Sequence, residues 1–157
     1  MKKLLAILLI TLLTLSACGR PSTNTSTSSS GEEQDQYIIR IAYLVSEEQS
    51  THLAAKSFKE KLEKESDGRL KVELYANGQL YPSDREGIEA VQLGNIEMTI
   101  PAVAPLASFN KKFMVFDLPF LFNDHDAAYR ALDGELGDKL LAESESNDMK
   151  GVVFAEN

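Results

Sequence analysis

The chain has 157 residues, 43% hydrophobic and 25% charged, with one cysteine, no tryptophan and a net charge of −8. It is too apolar for a wholly disordered chain, and a single cysteine makes no internal disulfide framework. The acidic balance argues against nucleic-acid binding, which needs clustered Lys and Arg; the length fits one domain on a prior of about 100–200 residues.

Lys2 and Lys3 precede an apolar run from Leu4 to Leu15, broken only by Thr11 and Thr14. As a helix that run would extend about 18 Å, well short of a hydrocarbon core of about 30 Å. A cleaved export signal over residues 1–17 is therefore expected, not a permanent anchor helix. Leu15-Ser16-Ala17-Cys18 resembles the lipobox of bacterial lipoproteins. That resemblance implies acylation of the Cys18 thiol, cleavage before it, and attachment to a membrane at that point. Loss of residues 1–17 leaves 14 basic against 24 acidic residues, a net charge of −10. Residues 18–36 are largely Pro, Ser, Thr, Asn and Gly, then acidic from Glu32. With so little to bury they read as a flexible tether that holds an extracytoplasmic domain, residues 37–157, off the membrane.

Tyr37 to Val45 is β-branched and aromatic with only Arg40 charged, which predicts a strand covered on both faces. Ser46 to Gln49 is a polar turn. Thr51, Ala55, Phe58 and Leu62 then fall on one face of a helix over about 50–66, stopped by Asp67-Gly68. Leu70, Val72 and Leu74 alternate with Lys71, Glu73 and Tyr75, a half-buried strand ended by an Asn77-Gly78 turn. Ser83 with Glu86 makes a capping box for a helix carrying Ile88, Val91 and Leu93 up to Gly94-Asn95. Ile96 to Pro101 predicts a short strand, Pro105 interrupts a small-residue stretch, and Phe113 to Phe122 is dense in aromatics. Asn123 to Asp126 offers N-caps for a helix through Leu132, and Gly134 parts it from a second helix holding Leu136, Leu140 and Leu141. Gly151 to Ala155 predicts a last strand. This order implies right-handed crossovers and an α/β fold, a mainly parallel sheet with helices on both faces. Ligands in such sheets sit beyond the C-terminal strand ends, where strand order reverses.

Three stretches resemble the solute-binding proteins of TRAP (tripartite ATP-independent periplasmic) transporters, the DctP-like family. They are Phe58-x-x-x-Leu62 through Tyr75; Asn77-Gly78-Gln79-Leu80 leading to Glu89-Ala90-Val91 and Ile96-Glu97-Met98-Thr99; and Phe116-Asp117-Leu118-Pro119-Phe120-Leu121-Phe122 with Ala128, Asp133-Gly134 and Gly137. The resemblance covers about residues 39–157, the family's first half. It implies one lobe of a type II periplasmic-binding-protein fold, the second lobe missing, so this chain is expected to bind ligand poorly by itself. It also implies capture of a small organic acid and delivery to TRAP permease membrane subunits, with neither a nucleotide nor a metal cofactor at this subunit. The family's carboxylate-pairing arginine lies in the second lobe, and its Gly-x-Arg would begin just after Asn157, which is therefore counted among the candidate substrate-binding residues.

Ser46, Gln49 and His52 follow the first strand and open the first helix, where backbone N–H groups and the dipole favour an anion. The resemblance also puts substrate contacts in this loop. A solvated turn with a capping serine, and a packed imidazole at His52, explain the same residues. Asp84 and Arg85 begin the second helix, in a loop that borders the family's cleft, although an aspartate in a first turn is also good dipole chemistry. Pro101 to Pro105 offers no charged or aromatic contact. Asp117 to Phe120 reads as a buried ridge, with Phe116, Phe120 and Phe122 supplying core area. No nucleophile, metal-ligand or phosphate-loop motif occurs, which argues against an enzyme. The alternatives are a receptor lipoprotein of another transport or sensing system, a surface hydrolase domain, and an inactive truncated remnant.

Overall fold

The computed structural model describes residues 35–155; Cys18, the expected signal and tether up to residue 34, and Asn157 lie outside them. Strand β1 (Tyr37–Ala42) is the centre of a three-stranded sheet in the order β2-β1-β3, with β2 at Leu70–Tyr75 and β3 at Met98–Thr99. Both pairings are parallel, Ile39 opposite Val72 on one side and Ile41 opposite Met98 on the other. Helix α1 (Ser50–Glu65) connects β1 to β2, and α2 (Asp84–Gln92) carries the chain back past β1 to β3. Because the two crossovers run in opposite directions, their helices cover opposite faces. On one face Ile41, Tyr43, Ala55 and Val72 are buried with Phe58 and Leu62 against them; on the other Ala42, Ala90 and Ile96 are buried with Tyr75 and Val91.

The boundaries have local causes. After α1, Asp67 (φ 52°) and Gly68 (φ 76°) both turn left-handed, and the Gly68 N–H donates to the Glu63 carbonyl at 2.9 Å. The glycine does only half of the work expected of it, since Asp67 shares the conformation. The Ser83 hydroxyl accepts from the Glu86 N–H at 3.3 Å, the N-cap expected from the sequence.

Beyond β3 the elements are short: α3 (Val103–Leu106), a 3-10 turn (Lys111–Asp117), α4 (His125–Leu132), α5 (Glu135–Ala142) and a 3-10 turn (Glu143–Asn147). Asp124 caps α4 by accepting from the Ala127 N–H at 2.7 Å. A Cβ on Gly137 would fall onto the Leu132 carbonyl oxygen, which is what lets α4 and α5 meet so closely.

Four expectations need correction. The β1 strand ends at Ala42, and its first residues, Tyr37 (62% exposed) and Ile38, are uncovered. The third strand shrinks to two residues, because a strand extends only as far as a neighbour pairs with it. Gly151 to Ala155 is no strand for the same reason: it pairs with none of the described strands, and Val152 and Val153 are exposed. Leu93 and Phe120 are exposed, Phe120 at 98% with φ 58°, so the Asp117–Phe122 stretch is not a wholly buried ridge; Pro119 and a left-handed Phe120 turn the chain there and swing the ring outward. Phe116 does pack, against Phe154 with ring centroids 5.5 Å apart. No helix among the described residues is long and apolar enough to cross a membrane.

Candidate functional site

The chain leaves β1 toward β2 on one side and reaches β3 on the other, so strand order reverses between the C-terminal ends of β1 and β3. A cleft opens there, lined by Ala42, Tyr43, Leu44, Tyr81, Asp84 and Thr99, with Ser83 and Gly87 beside them. A larger groove of about 500 Å³ runs alongside β3 and shares Leu44, Asp84 and Thr99 with the cleft. The rest of that groove is mostly apolar, walled by Ile41, Met98, Ile100, Leu106 and Phe113 among others, with Thr51, Glu97, Ser144 and Lys150 as its polar members. The cleft itself has room for about one water, about 10 Å³, so the space for a solute lies in the groove that continues from it.

Thr99 Oγ1 donates to the Ala42 carbonyl at 2.9 Å, which ties the two strand ends that form the cleft floor. Asp84 sits in the first turn of α2, and its Oδ2 accepts from the Ala102 N–H at 3.3 Å, tethering the loop after β3. Burial pushes the Asp84 carboxyl above the ordinary range, and the Ala102 hydrogen bond partly offsets this. Arg85 forms an i,i+4 ion pair with Glu89 at 2.9 Å, and its guanidinium lies over the Phe109 ring at 5.4 Å.

The first turn of α1 carries no acidic residue, whereas α2 opens with Asp84 and Glu86. The α1 dipole therefore lacks the first-turn carboxylates that complement α2, although Glu47 and Glu48 lie just before it. Gln49, not a serine, is the α1 N-cap, and its side chain makes no capping hydrogen bond. The Ser46 side chain hydrogen-bonds Glu48, which is the main reason that carboxylate is held below its ordinary range. His52 is buried at 8% exposure, with Nδ1 and the Tyr43 hydroxyl 2.8 Å apart.

Asp84 is thus the one predicted residue that lines both cavities. Ser46 and Gln49 belong to the loop whose Leu44 and Val45 line the groove, and His52 lines neither cavity. Reading by sequence missed Tyr43, Tyr81 and Thr99. Tyr43 looked like one more residue of an apolar strand, and only the position of a strand's C-terminal end could have marked it.

At the base of β3, Glu97 lies opposite Arg40 of β1. Its carboxylate accepts from the Arg40 backbone N–H at 2.8 Å and from the guanidinium at 2.7 and 3.0 Å. The side chain thereby replaces a ladder carbonyl just before β3 begins. The Arg40 hydrogen bond is the chief reason that Glu97 is lowered to about 2.

The profile of bacterial extracellular solute-binding protein, family 7 (DctP) matches residues 41–157. The chain belongs to this family, as the three resembling stretches led us to expect. The C4-dicarboxylate-binding protein DctB of Bacillus subtilis is 34% identical over 124 residues, covering 79% of this chain and 35% of the relative. Among solved structures, the sugar acid binding protein DctPAm from Advenella mimigardefordensis in complex with galactonate is 38% identical, with a TM-score of 0.69 over 72% of this chain and 36% of its own. A TRAP periplasmic solute binding protein from Polaromonas sp. JS666, bound to D-erythronate, is 30% identical with a TM-score of 0.74, covering 78% and 40%. The chain spans about a third of the length of the curated relatives it matches. Its parallel sheet covered on both faces is the α/β arrangement expected from the order of its elements, and the periplasmic-binding-protein fold of these structures is the one the resemblance implied.

Proposed function

We propose that the protein is the extracytoplasmic receptor of a TRAP-type transporter, capturing a small organic acid and passing it to membrane permease subunits. The observation that carries this reading is family membership over residues 41–157, joined to relatives whose named ligands are C4-dicarboxylates or sugar acids. The cleft at the β1 and β3 ends supports it, since Tyr81, Asp84 and Thr99 bring polar side chains to the reversal of strand order. In this reading Ser46, Gln49, Asp84 and Asn157 serve the ligand, and the chain supplies binding, not catalysis. Residues 37–157 form one lobe, and further recognition groups come from a second.

The test is calorimetric titration of the protein, as its gene encodes it, with succinate, D-galactonate and D-erythronate, alongside a neutral sugar. Binding of at least one acid at micromolar concentration, and none of the sugar, is expected; indifference to all three acids refutes the reading. Attachment to a membrane through Cys18, with residues 1–17 removed and 18–36 as tether, belongs to the same proposal. Metabolic labelling with a fatty acid should mark the wild type and not Cys18→Ser; equal labelling of both would remove the anchor.

A further inference from the structure

We infer that Tyr43 and His52 are positioning residues: their buried hydrogen bond is a clasp that presets the loop 44–49 before ligand arrives. The inference rests on the receptor reading above. Tyr43, directly after β1, is 3% exposed and His52, in the first turn of α1, is 8% exposed. The phenol hydroxyl and the imidazole Nδ1 lie 2.8 Å apart, and the rings meet edge to face with centroids 6.0 Å apart.

The loop between them has neither Gly nor Pro and carries two exposed glutamates, Glu47 and Glu48. Its start is held by the neighbouring turn. Tyr43 N–H donates to the Tyr75 carbonyl, Gly78 N–H to the Tyr43 carbonyl and Asn77 N–H to the Val45 carbonyl, each at 3.1 Å. Its far end enters α1, where the His52 and Leu53 N–H groups donate to the Gln49 carbonyl. The Tyr43–His52 bond joins the two ends across nine residues of chain. An unclasped loop would have to be ordered when ligand binds, and that ordering would be subtracted from affinity.

Packing alone does not require this pair. A phenylalanine at position 43 would bury the same ring without a hydroxyl to desolvate, and the ladder already holds β1. The polar pair therefore has a local task, joining strand end to helix start. His52 lines neither cavity, so its influence on ligand runs through the loop.

The experiment compares wild type, Tyr43→Phe and His52→Gln in the protein as its gene encodes it. Affinity for succinate, D-galactonate and D-erythronate is read by calorimetry, and hydrogen exchange is read without ligand. Tyr43→Phe should weaken the tightest-bound acid by about threefold to tenfold. It should also speed exchange over residues 44–50 while leaving β2 and α2 as they were. His52→Gln, whose amide oxygen can accept from the Tyr43 hydroxyl, should keep affinity within about twofold. Unchanged affinity in Tyr43→Phe overturns the clasp and leaves the receptor reading standing. Weaker affinity without faster loop exchange makes the hydroxyl a ligand contact, and faster exchange throughout the sheet makes the pair a purely structural one; either result also overturns it. A wild type that binds none of the acids removes the receptor reading and the clasp together.

Discussion

The stretch from Tyr37 to Ile100 and the stretch from Val103 to Ala155 solve the problem of burial differently. In the first, two crossovers of opposite direction place a helix on each face of the sheet, and nine of the eleven buried apolar residues among those described lie there. The second has helices of at most eight residues and buries only Phe113 and Leu140 among its apolar side chains. It is held instead by polar links: Asn110 Nδ2 to the Glu143 carboxylate at 3.2 Å, Asn147 Nδ2 to the Phe109 carbonyl at 3.3 Å, and Gln92 Nε2 to the Asn147 carbonyl at 3.0 Å. A β-α-β-α-β run closes its own core because each strand is covered as it is laid down. Short helices following an edge strand have one apolar stripe each and no second layer to meet.

The contrast can be broken by mutation. Ile88, on α2, is fully buried, so Ile88→Ala should lower unfolding free energy by about 3 kcal/mol in a urea titration. A loss under about 1 kcal/mol would mean that the first region is less tightly packed than its burial indicates. Arg40→Ala acts through Glu97. A carboxyl lowered to about 2 from 4.5 adds stability above the ordinary value that is lost as pH falls through about 2. Without Arg40, Glu97 should titrate near its ordinary value by carboxyl-carbon NMR, and the acid limb of the stability profile should flatten between pH 4.5 and 2. An unmoved Glu97 would show that the pair is not formed in solution. The smallest effect belongs to the second region: Phe120→Ala should change stability by no more than about 0.5 kcal/mol, its ring being 98% exposed. Phe120→Gly should be neutral or stabilising by up to about 1 kcal/mol, because φ 58° strains any residue with a Cβ. A large loss from either would place that ring in contact with something.

Local chemistry was legible wherever one element carried its own signal. The period of Thr51, Ala55, Phe58 and Leu62, the Ser83 cap and the Leu70–Tyr75 alternation all reappear in the structure. Gly151–Ala155 and Ile96–Pro101 misled because an apolar run states a preference for burial and says nothing about which edge will receive it. The candidate site was legible at Asp84, whose place at a helix start is a local fact. Tyr43 and Thr99 were not, being brought to one cleft from positions 56 residues apart. His52 was singled out for its chemistry, and its partner, the Tyr43 hydroxyl across the loop, could be found only in the structure.

By itself the sequence determined the α/β order, the Ser83 and Asp124 caps, the acidic balance and the family, because each is written in short-range pattern or in motifs spaced along the chain. Tertiary structure alone decided which residues meet at the reversal of strand order, how far β3 extends, and which apolar side chains stay in water. Those outcomes depend on pairing and packing between residues far apart in the chain, a property of the whole arrangement and of no single segment.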